Sequence, residues 1–516
     1  MGPAHLRTAA AALGLLLGAA AAPAGEAAVL ERFRKAFEGG APAAERAAAA
    51  REAKGLDSRA AAEAVLAALG PVLERVEALG KRRTAVREEV RALKGDRDGE
   101  TEFPTDTVRR MQALHAEEER LRQEDEAERE VAGLLRDLLP AFRDLRAVDF
   151  LALMAAKAGA PAAVRVAALE ALGAIGGDAA GRAARATLRD RDPSVREAAV
   201  GALARIRPRE EETLRTLAAS LADERWTVRL AASRRLADIA SPGAVDLLVG
   251  RLPAEEGRLR QDLADLLRGL TGQNFGPEPE GWAHWWGENR AAVVSGALVL
   301  TPGAAPPPPA EGPGGESVSY YGITTRSKRI LYVIDVSGSM ERPAGPASKA
   351  SKVEEAKKEL LRSIRSLDAG SAFTVYAFHD TVSKWKPGLV KATAAAKDEV
   401  RAWVGSLGAA SWTNTYAAME EAIRASAADP RNNMGEDYAA VADTIFLLTD
   451  GAPTTPGGGL RDAKGNPEWQ RVLGAVRDWN REKRVVIHAV GVGPEINGEF
   501  LSALARENGG EFRTVR

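Results

Sequence analysis

The apolar positions of this chain change their period near residue 300. Before it they recur every three to four residues, the spacing of one helix face. After it, short unbroken apolar runs alternate with helical patterns. Within the N-terminal half a single motif returns. Val164-Arg165 opens VRVAALEALGAIG, Val195-Arg196 opens VREAAVGALARI, Val228-Arg229 opens VRLAASRRLADIA and Leu259-Arg260 opens LRQDLADLLRGLTG. The copies begin about thirty residues apart. A helix pair with one small apolar face cannot bury it alone, so such copies must stack. Asp192-Pro193 stands just before the second copy, where a helix would start. Phe275, Trp282, Trp285 and Trp286 follow the last copy, and this cluster predicts a cap on the open end of the stack.

The repeated motif resembles HEAT repeats, here at the short end of their length range. The resemblance implies antiparallel helix pairs wound into a solenoid over residues 151–295, with an extended surface for a partner. Residues 29–150 are read as helical too. Residues 57–79 form a candidate degenerate repeat. Residues 72–93 and 108–139 are long charged helical patterns broken at 94–104. Their heptads are imperfect, so an antiparallel hairpin docked on the first repeats is preferred to a coiled coil. Charge of this density predicts mostly solvated faces.

The C-terminal half has a different grammar. The stretch at 302–315, PGAAPPPPAEGPGG, reads as a linker, and the boundary segment is placed at 301–316. Beyond it, residues 352–367 carry Val353, Ala356, Leu360, Leu361 and Ile364 on one helical face. Residues 372–378 read as a strand, and Val400, Trp403, Val404 and Leu407 mark another helix face. A helix at 469–479, a strand at 485–492, a helix beginning at 501–505 and a strand at 511–515 complete the pattern. Strands alternating with helices predict a mostly parallel sheet covered on both faces. The helical half and this half are expected to be separate folding units.

Candidate chemistry sits at strand ends. The run 329–340, RILYVIDVSGSM, is a buried strand ending in Asp335, Ser337 and Ser339, whose oxygens alternate along a loop tip. Such a cup suits a hard divalent cation such as Mg²⁺. Thr413 and Thr415 in SWTNTY offer a further hydroxyl. A second strand, 445–448, ends in Thr449, Asp450 and Gly451. In an open parallel sheet, ligands gather beyond the carboxyl ends of strands. Two carboxylates there, Asp335 and Asp450, repel unless a cation lies between them.

Residues 326–516 thereby resemble a von Willebrand factor A-like domain. The DxSxS of its metal-ion-dependent adhesion site stands as Asp335-Val336-Ser337-Gly338-Ser339. The family threonine matches Thr413, with SWTN in place of GGTN, and the aspartate of the TDG turn matches Asp450. The resemblance implies that Ser337, Ser339 and Thr413 bind Mg²⁺ (Mn²⁺ substituting) directly. It implies that Asp335 and Asp450 bind it directly or through water. The last coordination position then takes an acidic side chain of a partner. Trp412 departs from the family's glycine and is read either as a specificity residue or as a cover over a neighbouring loop.

Composition refines the setting. Residues 1–24 carry Arg7, a leucine core at Leu13 to Leu17 and a small-x-small site at Ala22-Pro23-Ala24. This predicts an export signal, too short and alanine-rich for a membrane span, and hence a protein of the periplasm, cell surface or medium. No cysteine occurs, so disulfides and cysteine lipidation are excluded. A formal net charge of −1 argues against a dedicated nucleic-acid binder. His379-Asp380 is read as a satisfied loop pair rather than a catalytic one. The glycine runs at 312–315 and 457–459 lack a phosphate-loop Lys. The fold class expected is therefore multidomain: an all-α hairpin and HEAT-like α-solenoid, then a doubly wound α/β domain. The expected role is metal-dependent adhesion or scaffolding and not catalysis. The alternatives are a metal-dependent hydrolase and an assembly subunit of a larger envelope complex.

Overall fold

A computed structural model describes residues 24–94, 104–206, 211–301, 318–325, 327–344, 350–409, 411–426, 441–455, 459–461, 465–481, 484–494 and 496–515. The expected export signal lies outside these residues apart from Ala24, and the expected linker apart from Thr301. No described helix is long and apolar enough to cross a membrane.

The N-terminal region is helical. Helices α1 (Ala24–Glu38) and α2 (Ala43–Glu52) pack against the hairpin formed by α3 (Arg59–Lys94) and α4 (Thr105–Leu138). The candidate repeat at 57–79 is corrected here: it belongs to α3, which runs 36 residues with Pro71 inside it. The apolar face on both sides of the proline stays buried, through Leu66, Leu69 and Val72. That burial offsets the hydrogen bond the proline cannot donate.

Helices α5 (Leu145–Ala156), α6 (Ala162–Ile175), α7 (Gly177–Thr187), α8 (Pro193–Ile206), α9 (Glu211–Ser220), α10 (Trp226–Ile239), α11 (Pro242–Arg251), α12 (Gly257–Thr271) and α13 (Pro279–Ser295) follow. The motif helices α6, α8, α10 and α12 stack in order. Their approach is close at Gly173, where a Cβ would lie 2.8 Å from the Cα of Ala202. The arginine that opens each motif has a structural task. Arg165 pairs with Asp190, Arg196 donates twice to Asp223 at 2.8 Å, and Arg229 bonds Glu255 at 2.8 and 3.2 Å. Each acid stands in the turn before the next motif helix, so the arginines tie successive repeats together. Trp282 and Trp286 are buried on the last repeat, donating to Gly276 O and Asp246 Oδ1 at 2.7 Å each.

The C-terminal domain is a seven-stranded mixed sheet in the order β5-β4-β3-β7-β8-β9, with β6 beside β4. The strands are β3 (Arg329–Asp335), β4 (Ala372–Phe378), β5 (Val382–Lys384), β6 (Val390–Lys391), β7 (Thr444–Thr449), β8 (Val486–Val492) and β9 (Phe512–Val515). They follow a small ribbon of β1 (Val318–Tyr320) and β2 (Ile323–Thr325). Strands β4, β3, β7, β8 and β9 are parallel; β5 and β6 pair antiparallel to β4 at the edge. Ile330, Tyr332 and Ile334 face one side and join α14 (Lys352–Ser366) and α15 (Ala394–Ser406). Leu331 and Val333 face the other and join α16 (Thr415–Arg424), α17 (Glu468–Trp479) and α18 (Gly498–Glu507). This two-sided burial explains why the strands read as unbroken apolar runs.

One expectation about the helical half needs correction. Arg83, Arg87, Glu118, Arg122 and Asp125 of the hairpin are buried, not solvated. They face α16 and α17, so the two halves, expected as separate folding units, share an interface. Arg83 and Arg87 both reach Glu420, at 2.9 and 2.6 Å. Arg122 pairs with Glu468, and Arg471 bonds Glu126 at 2.9 Å. The guanidinium carbons of Arg83 and Arg122 lie 4.9 and 5.0 Å from the centre of the Tyr416 ring. Arg484, just before β8, bonds Glu197 of the solenoid at 2.6 Å. The hairpin docks on the early repeats as expected, through α3 against α5, but its far half docks on the α/β domain.

Candidate functional site

Strands β3 and β7 are neighbours at the centre of the sheet, and chain order runs away from them in opposite directions. Their carboxyl ends therefore flank a switch point, where an open sheet leaves a crevice. Asp335 closes β3, and Asp450 follows β7 directly. Both are fully buried.

The site is built from three loops laced together. In the first, the Asp335 carboxylate accepts from the Ser337 N–H at 2.8 Å and from the Thr449 hydroxyl. Ser337 Oγ lies 3.2 Å from Ser339 Oγ, and Ser339 Oγ donates to Asp450 Oδ1 at 2.7 Å. In the second, the Thr413 N–H donates to Thr454 Oγ1 at 3.1 Å, and the Thr454 N–H returns a bond to Thr413 O at 2.9 Å. Gly338 N–H donates to Ser411 O at 3.0 Å, which joins the first loop to the second. Ser411 takes a left-handed φ of 62° to present that carbonyl. Gly451 of the third loop leaves the mouth open: a Cβ there would stand 3.9 Å from Thr413 Oγ1 and 4.0 Å from Ser339 Oγ.

All five residues singled out in the sequence thus come together. Thr415, the alternative hydroxyl, is the buried N-terminal residue of α16 and its Oγ1 lacks a hydrogen-bond partner. The Asn414 side chain caps that helix by accepting from Ala417 N–H at 3.1 Å. His379 and Asp380 contact each other, and His379 O accepts from Asn414 N–H at 2.7 Å, so this pair braces the Thr413 loop. Trp412 is half-buried against the hairpin. Its ring meets His115 of α4 edge-on at 5.3 Å.

Burial pushes the Asp335 carboxyl up to about 6, and the charge of Asp450 adds to that rise while Ser337 and Thr449 oppose it. A residue that the sequence pattern did not single out offsets Asp450. Lys352, the first residue of α14, is buried and donates to Asp450 Oδ2 at 2.7 Å. It sits in the charged run SKVEEAKKE and resembles its exposed neighbours; only its place at the helix start, near the loop of β3, distinguishes it.

Among the described residues, no group of three or more His, Cys, Asp or Glu side chains converges to hold a metal. The donors at this site are two carboxylates and three hydroxyls, a hard oxygen set. That set suits Mg²⁺ or Mn²⁺ and not a soft-ligand metal.

Residues 328–514 match the von Willebrand factor type A domain, and residues 181–268 match HEAT repeats. The chain therefore carries a von Willebrand factor A-family domain preceded by a HEAT-repeat region. Among curated relatives, inter-alpha-trypsin inhibitor heavy chain H1 of Sus scrofa is 28% identical over 193 residues, 37% of this chain and 19% of that one. Heavy chain H4 of Homo sapiens is 28% identical over 194 residues, 38% of this chain and 19% of that one. The chain thus spans about a fifth of the length of these relatives. Among solved structures, a von Willebrand factor type A protein from Catenulispora acidiphila aligns with a TM-score of 0.29 at 22% identity. That alignment covers 38% of this chain and 40% of that one.

Proposed function

We propose that this chain is a divalent-cation-dependent protein-binding protein, exported from the cytoplasm, whose partner contributes an Asp or Glu side chain. The observation that supports the reading is the convergence of Asp335, Ser337, Ser339, Thr413 and Asp450 at one mouth through three mutually bonded loops. Ser337, Ser339 and Thr413 present hydroxyl oxygens without charge. Asp335 and Asp450 set the local charge and orient water. Gly451 keeps the approach clear of side-chain bulk. Mg²⁺, when bound, supplies an exchangeable, directional bond to an anionic oxygen. The HEAT-like solenoid offers a second, extended surface for a partner. The location rests on residues 1–24, whose charge, leucine core and small-residue site have the form of an export signal.

Titration calorimetry of full-length protein with Mg²⁺ tests the reading. Wild type should bind exchangeably, and Asp335→Ala should not bind. Equal heats from both proteins would show that the cation is held elsewhere or not at all.

A further inference from the structure

The metal-site reading leaves one buried charge unused, the ammonium of Lys352. We infer that Lys352 is a built-in counter-cation of this site: it keeps the empty site folded, weakens its grip on a bare metal ion, and leaves the loaded site positive. This inference rests on the proposed cation site and adds to it a resident cation that couples metal binding to the partner's carboxylate.

The geometry is specific. Lys352 is 2% exposed, and its Nζ lies 2.7 Å from Asp450 Oδ2. Asp450 Oδ1 accepts from Ser339 at 2.7 Å, so both oxygens of that carboxylate are engaged. The backbone of Lys352 is fixed as well, its N–H donating to Arg342 O at 2.9 Å at the start of α14. Room for the side chain comes from Gly493, just past β8. That residue has φ of +89°, and a Cβ on it would stand 2.8 Å from Lys352 Cε and 3.1 Å from Nζ. The left-handed backbone of Gly493 favours glycine there, and any side chain at that position would crowd the ammonium.

Charge counting gives the consequence. Asp335 and Asp450 together carry two negative charges, which a divalent ion alone would cancel. Lys352 adds one positive charge, so the loaded site is left with a net charge of +1. A buried net charge is costly unless paired. The anion that cancels it is one carboxylate, brought by the partner. Metal and partner carboxylate should therefore bind together more tightly than either binds alone. In the empty protein the same lysine spares Asp450 the cost of standing buried and unpaired. Lys352 acts through Asp450 and is a positioning residue.

Lys352→Gln and Lys352→Met remove the charge; Gln keeps a donor for Asp450 and Met keeps the length. Full-length wild type, both variants and Asp335→Ala are titrated with Mg²⁺ near neutral pH, with and without acetate as the carboxylate probe. Both Lys352 variants should bind Mg²⁺ about tenfold tighter or more, since a like charge one carboxylate away is gone. Acetate should tighten Mg²⁺ binding to wild type and do so less in Lys352→Gln. Thermal melts should show metal-free variants below wild type and largely restored by Mg²⁺. A merely structural lysine predicts the opposite sign, weaker metal binding in the variants. If wild type binds Mg²⁺ and folded Lys352→Gln binds it no tighter, the inference falls while the metal site stands. If neither protein binds Mg²⁺, both fall. Should Lys352→Met fold only with Mg²⁺ present, that supports the inference; should it fold under neither condition, Lys352→Gln decides.

Discussion

Glu420 of α16 and Arg83 of the hairpin form a buried ion pair, 2.9 Å between Glu420 Oε2 and a guanidinium nitrogen, across 337 residues of chain. Helix α16 begins two residues after Thr413 and carries Glu420, Glu421 and Arg424 on the face that meets the hairpin. One helix therefore has the loop of the proposed cation site at its start and the ionic contacts between the two halves along its body. Burial pushes the Glu420 carboxyl up, but Arg83, Arg87 and Arg424 outweigh it and hold the group well below the usual carboxylate range.

Glu420→Gln should therefore be costly. It leaves Arg83 and Arg87 buried with one fewer negative partner. Removing one member of such a pair typically costs about 3–5 kcal/mol. The first urea transition of full-length protein should move to lower denaturant, with the hairpin becoming protease-sensitive before the sheet does. An unchanged midpoint would mean that the hairpin is held by its apolar contacts alone.

The repeat arginines make a second prediction. Arg196 is buried and bonds Asp223 through two parallel N–H groups, a fork that a lysine cannot reproduce. Arg196→Ala should destabilise the solenoid by about 3 kcal/mol. Arg196→Lys should recover only a small fraction of that. Circular dichroism melts of the three proteins give the order directly, and equal melting of the lysine variant and wild type would refute the bidentate argument.

Much of this was legible in sequence because the deciding signals are local. The Val-Arg motif marked the repeat helices, and the unbroken run at 330–334 marked a strand buried on both faces. Asp335, Ser337 and Ser339 stood out by spacing and Asp450 by its place beyond a strand's end, while Thr413 was preferred to Thr415 only through the family resemblance. What stayed hidden depends on partners far away in the chain. Arg83 and Glu420 look like surface charges until the hairpin is laid on α16. Lys352 looks like one more lysine of an exposed helix until β8 brings Gly493 beside it. Residues 57–79 and 72–93 read as two patterns although α3 runs through both, because the burial that carries the helix past Pro71 comes from α5 and its neighbours. The pairing of Arg165, Arg196 and Arg229 with acids about 26 residues onward was within reach. Asp190, Asp223 and Glu255 recur in register with the motif, and that recurrence was the missed signal.

Trp412 gives a third prediction. Its ring meets His115 edge-on, so the hairpin supports the loop that carries Thr413. Trp412→Ala should remove that support without removing a ligand. Mg²⁺ affinity should fall by less than about tenfold, since aromatic edge contacts contribute about 0.5–1.5 kcal/mol. Calorimetry compares it with wild type, and complete loss of binding would assign Trp412 a direct role in the site.

The last prediction concerns pH. Burial raises the Asp335 carboxyl to about 6, with Asp450 adding to the rise, while an unfolded chain titrates Asp near the ordinary 3.8. The folded state thus holds a proton that the unfolded state has lost between about pH 4 and pH 6. Stability from this group must fall as pH rises through that window and level off above it. A shift of about two units corresponds to about 3 kcal/mol. Asp335→Asn keeps an acceptor for the Ser337 N–H and removes the titration. Metal-free Asp335→Asn should therefore be more stable than wild type at pH 7, and the gap should close toward pH 4. Metal binding has the opposite slope, because the ligand must lose its proton first. Wild-type Mg²⁺ affinity should drop about tenfold per pH unit below 6 and be flat above it. Paired urea melts and calorimetry across that range measure both slopes. A stability gap that widens toward pH 4 would show that Asp335 is stabilised as the carboxylate, contrary to its burial beside Asp450.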